Sequence, residues 1–316
     1  ESMKDLLSAI NEVSKTPDDN TARAALVQSA VSFLDRSQAV YKGLVSYQSN
    51  LNTEIYNITN RINEIGEQIM SLNKQIAQIE SGVETAMTLR DERDLLLDEL
   101  SGYAKIDYTE DSRGIVSVML EGQFFCDNMS VSHLGLSTVE GTDFYIPVWK
   151  EMKNEPLYNM EITMSTANNT DIGSLKGLLA ARGTISPTYA NMTAPAQTVT
   201  QMPDRADYGS DEDYNNAVAA YTAYRDYKSY EDCKDYSVLV RTIANFDKLV
   251  NSVVEKINDV LSPMKDATVT YVDGNGNTVT YTGKILDTDK AGYGKDTDKS
   301  IGEELFSRKY TDRYTK

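Results

Sequence analysis

Very few side chains in this sequence have the chemistry of a catalytic base or a metal ligand. Among 316 residues there is one histidine, His133, in the strand-like context VSHLG, and the chain has no G-x-S-x-G segment. A hydrolytic serine needs a positioned base, so a histidine-based triad has this one candidate alone. We therefore predict that His133 is structural or lies on the surface, and that the chain has no catalytic residues.

The two cysteines make up neither a zinc site nor a disulfide framework. Cys126, Cys233 and His133 are too few for a structural zinc ion, which takes four ligands. The sequence has no H-E-x-x-H, no Walker A segment and no G-x-G-x-x-G after a strand. We expect two small buried hydrophobic residues, no metal site and no cofactor. A disulfide between the cysteines stays open if the protein works outside the cell.

Acidic residues are abundant, but their spacing favours no cation site. The DGNGN segment at 273–277 resembles the first half of a calcium loop, yet Thr278 and Lys284 stand where glycine and glutamate are needed. A hairpin turn explains this segment better. A carboxylate pair for glycoside hydrolysis stays open, although context singles out no pair. Four later aspartates are typical of a solvated acidic loop, namely Asp287, Asp289, Asp296 and Asp298.

Length and charge limit the class of protein. The length predicts two domains, or one large domain with insertions. With 48 acidic against 31 basic residues and a net charge of −17, the chain is unsuited to nucleic acid or an anionic membrane. No signal peptide or transmembrane run is visible. Because the first residue is Glu1, we expect a processed start or a fragment of a longer protein.

One long helix dominates the elements that position these residues. Apolar residues from Leu6 to Val13 predict a first helix that ends at Pro17. A second helix from Thr21 to about Glu80 is about 90 Å long at 1.5 Å per residue. Its apolar residues form a seam typical of a coiled coil, so we expect it to pack lengthwise against other long helices of this chain or a neighbour. The seam residues are Val40, Leu44, Tyr47, Leu51, Ile55, Ile58, Ile62, Ile65, Ile69, Leu72, Ile76 and Ile79.

Polar and glycine residues flank this seam. The polar ones can fix the register against a partner helix, although a solvated face is favoured. Gly43 and Gly66 indicate the close approach of another backbone, and Gly82 is expected to end the helix. The polar residues are Asn52, Asn57, Asn60, Asn63, Asn73, Glu54, Glu64 and Glu67.

The rest of the chain alternates between helical and strand patterns. Helices are predicted at about 83–101, 173–183, 210–230 and 236–261. A hairpin is predicted at 105–121, strands at 123–133, 143–149 and 158–166, and a second hairpin after Pro263. The predicted fold is α+β, an elongated bundle of long coiled-coil-like helices with small inserted antiparallel β domains. The predicted domains are a helical rod domain at 1–102 and an inserted β domain at 103–170. They are followed by return helices at 171–262, with a Tyr-rich insertion at 184–235, and by a hairpin with the C-terminal segment at 263–316.

Tyrosine is the commonest aromatic residue, with 20 tyrosines against one tryptophan. Tyr214, Tyr221, Tyr224 and Tyr227 recur along the helix predicted at 210–230. Such a face can hold a sugar or a protein partner, but packing against the next element is the favoured interpretation.

Several segments resemble the family of flagellar hook-associated protein 1, the first hook–filament junction protein. The similarity is most specific in 11–106. It rests on NEVSKTPDDNTARAALVQSAVSFL at 11–34, NI-x3-IN at 57–63, LN at 72–73, LRDERDLLLDELSGYAKI at 89–106, DIGSLKGLLAARG at 171–183 and ELF at 304–306.

This resemblance implies a non-catalytic structural subunit of the bacterial flagellum. Copies would assemble in a ring between hook and filament, in contact with the hook protein and the second junction protein. An export chaperone and the flagellar export apparatus would bring the protein outside the cell without a cleaved signal peptide. Family members also carry heptad-bearing terminal segments that are absent here, so the resemblance implies a core fragment.

Three other interpretations stay open at this stage. Another flagellar axial protein, such as the second junction protein or a flagellin-like protein, is the nearest of them. A coiled-coil module that binds a protein partner through the tyrosine helix is the second, and a secreted glycan-active enzyme is the third.

Overall fold

The computed structural model describes residues 1–82, 85–160, 172–272, 276, 278–291, 302 and 304–306. These residues have an α+β fold. The helices are α1 (Ser2–Lys15), α2 (Asn20–Glu80), α3 (Met87–Tyr103), α4 (Ser174–Arg182), α5 (Asp211–Cys233) and α6 (Val238–Leu261). The strands are β1 (Ile106–Glu110), β2 (Val116–Leu120), β3 (Gln123–Cys126), β4 (Leu134–Thr138), β5 (Tyr145–Trp149), β6 (Glu155–Pro156), β7 (Met264–Val272) and β8 (Thr278–Leu286).

The chain divides into two compact units. Unit 1 comprises Glu1–Lys42 and Phe246–Lys316, and unit 2 comprises Gly43–Asn245. Both boundaries between the units fall inside helices, within α2 and α6. The finer division into four segments that the sequence suggests stays a prediction.

The first two helices lie where the sequence predicts them. Helix α1 ends two residues before Pro17. The carboxylate of Asp19 then accepts a hydrogen bond from the backbone N–H of Thr21 at 2.8 Å, which caps the start of α2. Helix α2 continues for 61 residues, and Gly82 lies in the turn that follows it.

Unit 1 has an apolar core to which α1, α2 and α6 contribute. Its buried members are Leu6, Leu26, Ala30, Phe33 and Phe306. Val250, Val253, Val254 and Ile257 of α6 are half-buried and pack against this core. The hairpin β7–β8 follows, with Met264 opposite Leu286. Most of its turn at 273–277, together with Asp296 and Asp298, lies outside the described residues.

In unit 2 the buried face of α2 is three columns wide, and each column repeats every seven residues. Three positions in seven make the broad stripe of a helix that faces a globular core, whereas a coiled-coil seam uses two. The columns are Leu51, Ile58, Ile65 and Leu72, then Ile55, Ile62, Ile69 and Ile76, then Asn52, Thr59, Gly66 and Asn73.

The expectation of long helical partners for this face is wrong within the described part of unit 2. From Ile55 to Ile69 the face packs into one core with both sheets and with α3 and α4, which have only 17 and 9 residues, while Leu72 and Ile76 form a smaller cluster with Ala86. A sheet covers a broader stripe than a single helix does, so a third column becomes buried. The strand residues of this core include Val116, Val118, Leu120, Phe125, Leu134 and Trp149.

The ends of the predicted seam also differ from the structure. Tyr47 is 56% exposed, and the neighbouring Gln48 is fully buried in its place. Val40 and Ile79 are exposed as well. Gly66 does allow a close approach, but of side chains: a Cβ there would lie 2.7 Å from Cζ of Phe125.

The described part of unit 2 contains two antiparallel sheets, with strand orders β1-β2-β3 and β4-β5-β6. The hairpin predicted at 105–121 is confirmed, with Tyr108 opposite Val118. Strand β3 is shorter than the prediction at 123–133, and β4 lies outside every predicted strand. In the segment predicted as a strand at 158–166, residues 158–160 belong to no strand, and the remainder lies outside the described residues.

The helices that follow the sheets agree with the prediction within a few residues. Ser210 caps α5, because its hydroxyl accepts the N–H of Asp213 at 3.1 Å. The segment 184–209, between α4 and α5, holds two short 3₁₀ turns, Tyr189–Met192 and Arg205–Asp207. A second apolar cluster of unit 2 joins α5 to α6 through Ile185, Tyr230, Cys233, Val240 and Ala244.

Candidate functional site

Two asparagines of α2 bind single strand residues through both atoms of their side-chain amides. Asn63 donates to the carbonyl oxygen of Leu134 at 2.9 Å and accepts the N–H of the same residue at 2.8 Å. Asn73 does the same with Val116, at 2.8 and 3.1 Å. Each amide therefore satisfies one donor and one acceptor of a strand backbone, as a neighbouring strand would.

These contacts replace strand neighbours that are missing at those positions. Val116 pairs with Glu110 of β1 on one side, while β3 ends with Cys126 opposite Val118 and does not reach it. Leu134 is the first residue of the edge strand β4. Both strand residues are almost fully buried. Without the asparagines their polar groups would be buried without partners, so the amides fix each sheet in one register on α2.

A third contact joins α2 to β5 and α4. The side chain of Asn52 donates to the carbonyl oxygen of Asp143 at 3.0 Å and accepts the N–H of Tyr145 at 2.8 Å. Its oxygen also accepts a hydrogen bond from the Arg182 guanidinium at 2.6 Å. One helical turn earlier, Gln48 donates to the carbonyl oxygens of Arg182 and Ile185 at 2.6 and 2.8 Å.

Arg182 is a buried cation held by neutral oxygens. It is 1% exposed, and besides Asn52 it donates to the carbonyl oxygens of Tyr145 and Gly183. Its guanidinium carbon also lies 4.9 Å from the ring centroid of Phe144. Burial disfavours the charged form and lowers the pKa of Arg182 to about 10. The residue ties the end of α4 to the sheet and to α2.

Ion pairs hold the tip of the β1–β2 hairpin against the turn between α2 and α3. Glu80 accepts two hydrogen bonds from Arg90, at 2.6 and 2.8 Å, and one from the N–H of Ala86. These bonds, those from Arg90 first, lower the pKa of Glu80 to about 2. Arg90 also pairs with Glu110 of β1.

Gly114 completes this contact at the hairpin tip. It has a φ of +75°, and a Cβ on it would lie 2.5 Å from a nitrogen of Arg90. Its carbonyl oxygen accepts a hydrogen bond from the buried Arg93 at 2.6 Å, and Arg93 also donates to Asn73 at 3.2 Å. The hairpin tip and the Asn73 contact therefore belong to one hydrogen-bonded network.

The tyrosine helix α5 packs against the turn between β4 and β5. The hydroxyl of Tyr221 donates to the carboxylate of Glu140, and a Cβ at Gly141 would overlap the guanidinium of Arg225. Tyr221 and Tyr230 are buried, while Tyr224 and Tyr227 are half-buried. The side chains of this helix thus serve packing, as the favoured interpretation of the sequence has it.

The candidate catalytic and metal-binding residues that the structure describes do not lie together. His133 lies on the surface, where its ring contacts Glu67 at 3.1 Å. Cys126 and Cys233 are both free and buried in separate clusters, and burial raises the pKa of Cys126 to about 12. Asp287 pairs with Lys265 and a second lysine. In the described part of the chain, no group of three or more acidic, histidine or cysteine side chains could hold a metal ion.

Sequence reasoning recognised the asparagines but favoured a solvated face for them, and it did not single out Gln48, Arg93 or Arg182. Asn57 is indeed exposed, but Asn52 and Asn73 are buried. A signal for the buried pair is present in the sequence. Asn52 and Asn73 fall three heptads apart, in the column that also holds Thr59 and Gly66 and runs beside the isoleucines.

The described residues include no helix long and apolar enough to cross a membrane. They do include the helix α2, to which side-chain amides bind two sheets. This arrangement lies in a part of the chain that matches a known protein family. The sequence model of the family described as "Flagellar hook-associated protein FlgK helical domain" matches residues 1–206. The chain belongs to this family. The family's description names a flagellar hook-associated protein.

Similar proteins carry names that agree with this family. The chain is 29% identical over 134 residues to flagellar hook-associated protein 1 of Bacillus subtilis (strain 168), a match over 42% of this chain. That match covers 26% of the relative, so the chain spans about a quarter of its length. The structure of the flagellar hook junction protein FlgK from Burkholderia pseudomallei is similar over 60% of this chain and 34% of that chain, with a TM-score of 0.47 and 23% identity.

Proposed function

We propose that this chain is part of a structural subunit at the junction between the flagellar hook and filament, and that it catalyses no reaction. The observation that carries the proposal is the match of the family's helical domain to residues 1–206. The name of the Bacillus subtilis relative supports the same role. No catalytic, cofactor-binding or metal-binding residue is assigned.

The contacts of α2 suit a subunit that must resist load. A junction subunit transmits torque, and its parts must keep their register under shear. The amides of Asn63 and Asn73 bind their strand residues along two parallel hydrogen bonds each. A sheet held this way cannot slide along α2 by one residue without losing both bonds and burying unpaired backbone groups.

The proposal includes the location and the partners. The subunit would act outside the cell, after passage through the flagellar export apparatus with the help of an export chaperone and without a cleaved signal peptide. Its partners would be further copies in a ring, the hook protein and the second junction protein, with neither nucleic acid nor membrane. The segment 103–170 would be an insertion in a helical domain whose halves are 1–102 and 171–262, followed by 263–316.

A strain that lacks the gene for this chain tests the proposal. Filament subunits should then appear in the culture medium, because they have no junction on which to assemble, and electron microscopy should show hooks without filaments. The same strain with the gene restored on a plasmid is the control. Normal attached filaments in the strain without the gene would refute the junction role.

A further inference from the structure

A cavity of about 480 Å³ lies within unit 2, at the end of α4. Arg182 and Tyr236 line it. Pockets of this size that bind small molecules usually combine an apolar wall with a few polar groups that fix the orientation of the ligand. The apolar residues among those that line the cavity are Ile146, Pro147, Pro156, Met160 and Leu179.

Arg182 is a buried cation with one nitrogen left over. Its Nε and Nη1 atoms donate to three neutral oxygens, those of Gly183, Asn52 and Tyr145. Its Nη2 atom has no hydrogen-bond partner among the described residues. Unlike Nε of Arg93, which is buried without a partner, Nη2 keeps accessible surface. Because a buried charge is costly unless it is paired, this nitrogen offers two N–H groups and a positive charge to a ligand in the cavity.

Arg93 shows what an internal counterion of a buried arginine looks like in this chain. It is 2% exposed, and its nitrogens lie 3.6 Å from a carboxylate oxygen of Glu110 and 3.8 Å from one of Asp94. Arg182 has no such neighbour in the described part of the chain, although the sequence contains 48 acidic residues. The charge of Arg182 is therefore left for an anion from outside.

Tyr236 adds a second donor to the same cavity. Its hydroxyl has no hydrogen-bond partner among the described residues, and its charged form would interact electrostatically with Arg182. Burial above all raises the pKa of Tyr236 to about 12, so the hydroxyl is protonated at neutral pH and can donate. The acidic residue that lines the cavity, Glu155, is exposed, so water screens its repulsion of an anion.

We propose that this cavity binds a small organic monoanion, a carboxylate with an apolar body. The carboxylate would accept hydrogen bonds from Nη2 of Arg182 and from the hydroxyl of Tyr236, while the body would pack against the apolar wall. One carboxylate matches the one positive charge of Arg182, whereas a phosphate dianion would bring a second charge into the cavity without a partner. The site does not rest on the junction role.

Titration calorimetry of the full chain with phenylbutyrate tests the site. The neutral amide of the same acid has the same apolar body, so it should bind at least about tenfold more weakly, because it lacks the charge. Inorganic phosphate should also bind more weakly than phenylbutyrate. Nuclear magnetic resonance of isotope-labelled methionine methyl groups locates the ligand: the methyl signal of Met160, assigned with Met160→Leu, should shift as phenylbutyrate is added.

Two variants assign the binding to this cavity. Tyr236→Phe removes a hydroxyl that has no partner in the described part of the chain, so it should fold normally and bind phenylbutyrate about tenfold more weakly. Ile146→Trp should weaken binding as well, because the larger side chain fills part of the cavity. Tyr224→Phe is the matched control, because Tyr224 is half-buried and does not line the cavity, and it should keep the affinity of the wild type.

Arg182→Met should bind the acid no better than the amide. If circular dichroism shows that this variant does not fold, Tyr236→Phe carries the test. The proposal would be overturned by phenylbutyrate that does not bind at concentrations up to about 10 mM, or by an amide or phosphate that binds as tightly. Tyr236→Phe with the affinity of the wild type would overturn it too.

Discussion

Asn73→Ala should destabilise unit 2 strongly, although it replaces a polar residue with a better helix former. The substitution leaves the N–H and the carbonyl oxygen of Val116 without partners, and Val116 is 1% exposed. Each buried unpaired group costs about 1–3 kcal/mol. The higher helix propensity of alanine returns about 0.5 kcal/mol. Arg93 loses one acceptor but keeps Gly114. The expected loss in the free energy of unfolding is therefore about 2–5 kcal/mol.

Trp149 makes this prediction measurable for unit 2 alone. It is the single tryptophan of the chain, it is 2% exposed, and it belongs to the core that covers α2. Urea unfolding followed by tryptophan fluorescence thus reports on this unit. Asn57→Ala is the matched control, because Asn57 is exposed on the same helix and the propensity change is identical. A difference below about 0.5 kcal/mol between the two variants would refute the idea that the amide holds the sheet.

Two further predictions concern packing and pH. Gly66→Ala should lower the free energy of unfolding by about 1–3 kcal/mol, because the new methyl group overlaps Phe125. Gly43→Ala is the control: its methyl group meets no atom within 4 Å, so it should raise the free energy of unfolding by about 0.5–1 kcal/mol. Equal effects of the two substitutions in urea unfolding would contradict this packing. Hydrogen bonds from Arg90 first, and then from the N–H of Ala86, lower the pKa of Glu80 from 4.5 to about 2, so the stabilisation they give is present above pH 4.5 and is lost as the pH falls towards 2. Glu80→Gln should therefore flatten the acid side of the profile of stability against pH, measured by tryptophan fluorescence. An unchanged profile would show that the pair of Glu80 with Arg90 does not cause the loss of stability in acid.

The periodic patterns predict the helices because a helix is specified by residues close in sequence. Pro17 and the Asp19 cap place the break between α1 and α2, and an uninterrupted pattern leads to one helix up to Glu80. The turn-separated strand pattern likewise predicts the β1–β2 hairpin. Strand β4 is not predicted, because apolar and polar residues alternate only weakly in LGLST. In addition, a side chain of a helix distant in sequence, Asn63, binds the backbone of its first residue.

The width of the buried face of α2 marks the limit of that reasoning. Apolar residues alone indicate two positions in seven and hence a helical partner, since asparagine and threonine count as polar in any such pattern. In the structure Asn52, Thr59 and Asn73 are buried. An asparagine can be buried only where its amide finds partners, and the backbone groups that the amides of Asn52 and Asn73 bind lie 43 to 93 residues away.

The sequence by itself determines the helices, most of the strands, the acidic surface charge and the scarcity of catalytic residue types. All of these depend on composition or on neighbours within a few residues. The tertiary structure alone decides that two sheets cover α2, that Asn63 and Asn73 bind strand residues that lack a neighbouring strand, and that Asn258 binds the backbone of Phe306. The physical reason is that a polar side chain has no fixed preference for the core: the backbone groups that the fold brings to it decide whether it is buried or solvated.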